Sequence, residues 1–284
     1  MSDLAIESLN ADEAVVRPVW SILSKGLTGS GKTILSCSKL FRPTYVFNLE
    51  GRFESAITYY KKLDGHFKDV HFNNFSMRGD NFHKMDTKMD SIVARPEYQT
   101  VVIASMTSFI HIVLKNLMGA TKKGARLKAG IQTNILEDYN FEDSAIIFNL
   151  LAFLQQLKEM GVNVILEAHI SHYDEVTLEE GQRVSQTKYE ILTKGKKAPA
   201  QIPSYFNEVW LFRKTYPSTW DAGIKPEYFV DTTGDSANEC KTSFGIQSFK
   251  WTGIDPGDIL EDQLNPEIKN TPRIDPNAPK VVSW

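Results

Sequence analysis

Residues 25–34 read KGLTGSGKTI. Within them Gly26, Gly31, Lys32 and Thr33 satisfy the spacing G-x-x-x-x-G-K-[ST] without a mismatch. Each residue type has a chemical reason to be there. Glycines let the backbone turn so that its N–H groups point inward, and the helix that follows directs its positive end at the bound phosphates. A lysine at 32 neutralises β- and γ-phosphates, and the Thr33 hydroxyl is suited to ligate magnesium. Gly29 gives slack where the backbone must approach closely, and Leu27, Thr28 and Ser30 complete the loop. An apolar run, 19–23, precedes the stretch and a helical pattern follows it. The expected ligand is ATP with Mg2+.

A second stretch has to be read with the first. From residue 100 the chain runs TVVIASMTSF. Nucleotide hydrolases end a neighbouring strand on a carboxylate that orients magnesium, and here that end carries Ala104. Ser105 and Thr107 follow, but neither brings negative charge. Glu50, in YVFNLEGRF, stands where a strand ends and Gly51 lets the chain turn away, so it is a candidate base for an attacking water. In NVILEAHIS the strand delivers His169 to the edge of the sheet where open α/β folds bind ligands, a place from which it can sense a γ-phosphate.

Working outward, strand-like runs (19–23, 44–48, 100–104, 162–168, 208–212) alternate with helical periods (32–41, 53–63, 82–94, 107–118, 141–160). For the last helix Asn140 is the expected cap and Gly161 the expected end. This alternation predicts an α/β fold: a mostly parallel sheet with helices on both faces. Three stretches depart from it. Residues 119–139 are basic and glycine-containing, and read as a mobile surface loop. Residues 171–193 alternate polar and apolar around EEGQ, which predicts a β-hairpin extension. The expected boundaries are an N-terminal arm over 1–17, a core over 18–252, and an extended, acidic, proline-containing tail over 253–284.

Composition narrows the class. The 284 residues are 42% hydrophobic and 24% charged, the balance of a globular domain rather than a disordered or membrane-spanning chain. The start, MSDLAIESLNADEAVV, lacks the basic-then-apolar pattern of a secretory signal. Cys37 and Cys240 form neither a disulfide framework nor a zinc motif, so a reducing cytoplasm, a host's if the protein is viral, is the expected home. The net charge of −3 does not decide for or against nucleic acid, but its distribution is uneven. Lys115, Lys122, Lys123, Arg126 and Lys128 form one basic cluster. Lys188, Lys194, Lys196 and Lys197 form another, and Asp255, Asp258, Glu261 and Asp262 an acidic one.

Taken in order, GLTGSGKT, FNLEG, VVIASMTSF and VILEAHIS make residues 18 to about 215 resemble the RecA-like core of phage nucleotide-binding ATPases. The nearest group in that resemblance is the short phage recombinases of single-strand annealing. Position by position it implies that Lys32 is the phosphate lysine, Thr33 the magnesium hydroxyl, Glu50 the catalytic glutamate and His169 the polar sensor. The magnesium-orienting aspartate of that family falls on Ala104, where the match fails, through natural variation or a single replacement. ATP is then expected to bind but to be hydrolysed slowly. The resemblance also implies a homo-oligomer, filament or ring, with single-stranded DNA passing its loops. Lys122, Lys123, Arg126 and Lys128 are the candidate DNA contacts, and Lys194, Lys196 or Lys197 the candidate cation donated to a neighbour's γ-phosphate. A nucleotide-switched structural or DNA-packaging component with a protein partner is the alternative. A small-molecule kinase is disfavoured, because no lid-like segment carries clustered arginines.

Overall fold

In chain order the elements are β1 (Ser21–Gly26), α1 (Lys32–Ser36), a 3-10 turn (Lys39–Phe41), β2 (Thr44–Asn48), α2 (Glu54–Asp64), β3 (Val70–Asn74), α3 (Asn81–Ala94), β4 (Thr100–Ala104), α4 (Met106–Ala120), α5 (Ala152–Glu159), β5 (Asn163–Ala168), β6 (Ile170–Glu179), β7 (Gln182–Ile191), a second 3-10 turn (Ile202–Tyr205), β8 (Glu208–Thr215), β9 (Glu227–Asp231), β10 (Lys241–Thr242), β11 (Phe249–Trp251) and α6 (Pro256–Gln263). The computed structural model describes residues 19–64, 67–75, 81–120, 149–179, 182–193, 201–215, 226–235 and 239–264. The N-terminal arm, residues 265–284 and the candidate cations Lys122, Lys123, Arg126, Lys128, Lys194, Lys196 and Lys197 lie outside them, as does Asn140.

The apolar runs become strands because both of their faces have a helix layer to meet. β1, β2, β4 and β5 are buried along their whole length, the signature of a parallel sheet sandwiched between helices. Side chains alternate between two cores. Leu23, Tyr45, Phe47, Val101, Ile103, Val164 and Leu166 pack against α3, α4 and α5. Ile22, Val46, Val102, Ala104 and Ile165 face the opposite side, with Ile34 and Leu35 of α1, Tyr60 of α2 and Leu260 of α6.

The strand order is β11-β9-β8-β1-β5-β4-β2-β3, with β10 also paired to β8. From β8 through β3 every neighbour is parallel, while β9, β10 and β11 add antiparallel pairings at one side. The loop after β1 therefore leaves the sheet between β5 and β8, where the strand order reverses and a crevice opens. The expected α/β architecture, a mostly parallel sheet with helices on both faces, is the one observed. The hairpin is present as well: β6 and β7 pair antiparallel from Ile170–Ile191 to Glu179–Gln182.

Several expectations change in detail. The helix expected over 32–41 is one and a half turns of α1 and then a separate 3-10 turn. Residues 119–120, assigned to the basic loop, belong to α4. Gly161 does end the helix before β5, at φ +75°, a conformation glycine adopts without strain. β3 was not expected, since its HFNN is mostly exposed at the edge of the sheet and shows no apolar run. Residues 256–263, expected to lie in the extended tail, form α6. Pro256 sits at the first helical turn, where its missing N–H costs nothing. Asp255 caps the helix, accepting from Gly257 N at 2.8 Å and from Lys39 N at 3.2 Å.

Candidate functional site

The loop after β1 is shaped by two glycines in the left-handed region, Gly29 at φ +77° and Gly31 at φ +95°. A Cβ on Gly31 would lie 2.7 Å from the Tyr228 ring, and one on Gly26 would lie 2.6 Å from the Phe212 carbonyl oxygen. Both positions therefore require glycine for space, and Gly31 for backbone conformation too. The Lys32 ammonium donates to the carbonyls of Gly26 at 2.8 Å and Leu27 at 2.9 Å, and so is held across the loop. Burial lowers its pKa, opposed by the carboxylates of Glu167 and, more weakly, Glu50. Ser30 Oγ is buried in the same loop with no hydrogen-bond partner among the described residues. A loop with glycine at 26, 29 and 31, a lysine beside two acids and an unpartnered hydroxyl together fit a bound phosphate chain.

Glu50 and His169 come together as their positions at strand ends suggested. Glu50 follows β2 and His169 separates β5 from β6, and His169 Nε2 pairs with Glu50 Oε1. Ser105, directly after β4, donates its hydroxyl to the same carboxylate oxygen. Burial pushes the Glu50 carboxyl upward, but the hydrogen bonds from His169 and Ser105, with the charges of His169 and Lys32, outweigh it and bring the pKa to about 2. Glu50 is thus a carboxylate at any ordinary pH, able to orient a water and weakly basic toward it. A cleft of ≈ 520 Å³ joins Glu50 and His169 to Thr28 of the loop, with Arg52, Asn74 and His111 on its walls.

Two features were not found in the sequence. The first is Glu167, on β5, whose Oε2 accepts from Thr33 Oγ1 at 2.8 Å and whose Oε1 lies 3.0 Å from Ser36 Oγ. Burial raises its pKa, while the Lys32 charge and the two hydroxyls pull the other way. The position expected to carry an aspartate holds Ala104 and supplies no acid, but Glu167 on the adjacent strand does face Thr33. The signal was present in NVILEAHIS as an acid inside an apolar run, since a fully buried glutamate is rare without a partner. The second is a pocket of ≈ 490 Å³ beside α1, lined by Ile34, Tyr59, Leu63, Pro226 and Tyr228. Tyr228 joins it to the phosphate loop, because the same ring abuts Gly31. β9, which carries Tyr228, had no reading in the sequence.

Among the described residues no group of three or more His, Cys, Asp or Glu side chains could hold a metal ion. No helix there is long and apolar enough to cross a membrane.

No protein-family model and no curated protein matches the chain. Among solved structures, one similar fold is the crystal structure of the flagellar accessory protein FlaH from Methanocaldococcus jannaschii, with a TM-score of 0.41 and 8% identity over 84% of this chain and 89% of that one.

Proposed function

We propose that this chain binds ATP with magnesium and hydrolyses it, and that it couples the nucleotide to single-stranded DNA in recombination of the phage annealing type, assembled head to tail. The observation that carries the nucleotide reading is the convergence of the Gly26–Thr33 loop, Glu50 and His169 at one end of the parallel strands, around one cleft. In this reading the loop amides and Lys32 hold the phosphates, and Thr33 offers its hydroxyl to the magnesium. The tyrosine-lined pocket beside α1 takes the base. Magnesium, when bound, neutralises charge on the phosphates. Glu50 orients the attacking water and accepts its proton, and His169 and Ser105 fix the rotamer from which it does so.

The DNA and assembly parts rest on the order of the motifs and on the two basic clusters. They are also supported by the hairpin, which starts one residue after His169: Leu192 N donates to the His169 carbonyl at 2.8 Å. A shift of His169 toward a γ-phosphate would move the base of that hairpin. The test is a titration of ATP, and of fluorescent single-stranded DNA with and without a non-hydrolysable ATP analogue, for the wild type and Lys32→Ala. Lys32→Ala should lose about 3 kcal/mol or more of ATP binding, roughly hundredfold, because it removes the charge-assisted bonds to the phosphates. The analogue should tighten DNA binding in the wild type alone. Equal ATP affinity in both proteins would sink the nucleotide assignment. ATP binding with no DNA binding would favour a nucleotide-switched component with a protein partner.

A further inference from the structure

We propose that Glu167 is the carboxylate that positions magnesium at Thr33, taking over from β5 the task that β4 leaves undone at Ala104. The inference rests on the ATP reading above and deepens it.

Register comes first. β4 and β5 are parallel, and Ala104 stands directly beside Glu167. Register partners in a parallel pair project to the same face. That face holds Ala104 and Ile165, two residues before Glu167, with α1 packed over them. An acid at 104 and the acid at 167 thus serve the same helix. The acid on β5 is also one strand nearer, because β5 and not β4 neighbours β1, the strand that leads into the phosphate loop.

Chemistry comes second. Glu167 is 3% exposed, and placing a carboxylate there costs several kcal/mol unless its surroundings use the charge. The two hydroxyls it meets do not require an acid. Ser36 Oγ also lies 3.0 Å from the Lys32 carbonyl, the backbone acceptor that helical serine ordinarily uses. What the carboxylate does share with a magnesium site is its contact with Thr33 Oγ1, the one protein hydroxyl the metal would take, and its nearness to Lys32. Glu50 is already engaged by His169 and Ser105. Acting through Thr33 and the metal's water shell, Glu167 is a positioning residue, and such partners typically change metal affinity 10–100-fold.

A purely structural Glu167, tying α1 to the sheet, would affect nucleotide binding equally with and without metal. The experiment therefore separates the two. ADP affinity is measured by calorimetry in EDTA and in Mg2+, and Mn2+ binding to the ADP complex by electron paramagnetic resonance. The proteins are the wild type, Glu167→Gln and Glu167→Gln/Ala104→Asp. Glu167→Gln should keep ADP affinity in EDTA within about twofold but lose tenfold or more in Mn2+ affinity, and the added Asp at 104 should recover part of that loss. Unchanged Mn2+ affinity in Glu167→Gln, or a loss of ADP affinity that is the same in EDTA and Mg2+, overturns the proposal while leaving the ATP reading intact. A wild type that binds no ADP in either buffer overturns the ATP reading itself. Should Glu167→Gln not fold, anomalous scattering from wild-type crystals grown with Mn2+ and ADP decides. Manganese with Glu167 in its water shell supports the proposal, and manganese with Glu167 outside that shell overturns it.

Discussion

At the scale of single residues, the site sets three charged groups against one another. Lys32 lies between Glu167 and Glu50, and each acid is tuned differently by what surrounds it. Glu167 meets two hydroxyls and deep burial, which raises its pKa. Glu50 meets His169, Ser105 and Lys32, which bring its pKa to about 2 from a usual 4.5. The second shift has a measurable consequence. A carboxyl whose pKa is depressed in the folded state adds stability that is fully present above its unfolded value and is lost as pH falls through the folded one. Glu50 should therefore contribute on the order of 3 kcal/mol near neutrality, declining between pH 4.5 and 2. Urea melts of the wild type and Glu50→Gln across that window should converge as the pH falls. Parallel curves would show that the His169 and Ser105 contacts do not hold the charge.

Among the elements, α6 best shows how a local signal can be read in two ways. Five prolines and six acids after residue 252 suggest an extended tail. Instead Asp255 and Pro256 start a helix, Leu260 is fully buried, and Lys39 of the first 3-10 turn pairs with Asp258 and lies 3.7 Å from Glu261. The ion pairs are half-exposed and contribute little. The Asp255 side chain matters more, because it is 6% exposed and serves two backbone amides from different elements. Asp255→Ala should cost about 1–2 kcal/mol, read as a lower urea midpoint at an unchanged denaturant slope. A midpoint shift below about 0.3 kcal/mol equivalent would mean that α6 docks through Leu260 and its neighbours without the cap.

For the whole molecule, the sheet brings the Gly26–Thr33 loop, Glu50, Ser105 and His169 together at the C-terminal ends of β1, β2, β4 and β5, where the proposed nucleotide would sit, and β6–β7 extend from the same end. The proposed DNA contacts Lys122, Lys123, Arg126 and Lys128 follow α4, which itself leaves the end of β4. Neutralising all four together should weaken single-stranded DNA binding uniformly across sequences. It should also flatten the dependence of log affinity on log salt by up to about 3, given roughly 0.7 per phosphate on single strands. Affinity and slope both unchanged would remove this cluster from the DNA-contact reading and strengthen that of a protein partner.

The glycine-rich loop over 26–33 was legible in the sequence as a local conformation, because its turn depends on consecutive residues whose spacing the backbone itself enforces. Glu50 and His169 were legible for a related reason: a strand end followed by a polar residue in an α/β alternation points to one sheet edge. The parallel core, the hairpin and the helix stop at Gly161 were readable from periodicity alone. Strands β3, β9, β10 and β11 were not, since they are short, exposed or stabilised by pairing with partners far along the chain. Glu167 was hidden for a deeper physical reason. In a strand buried on both faces, alternation cannot tell which core a side chain enters, so an acid there has no visible partner until register is known. Tertiary structure alone set Ala104 beside Glu167 and turned that glutamate toward Thr33, because pairing between strands about 60 residues apart is chosen by the packing of the whole sheet and not by either strand.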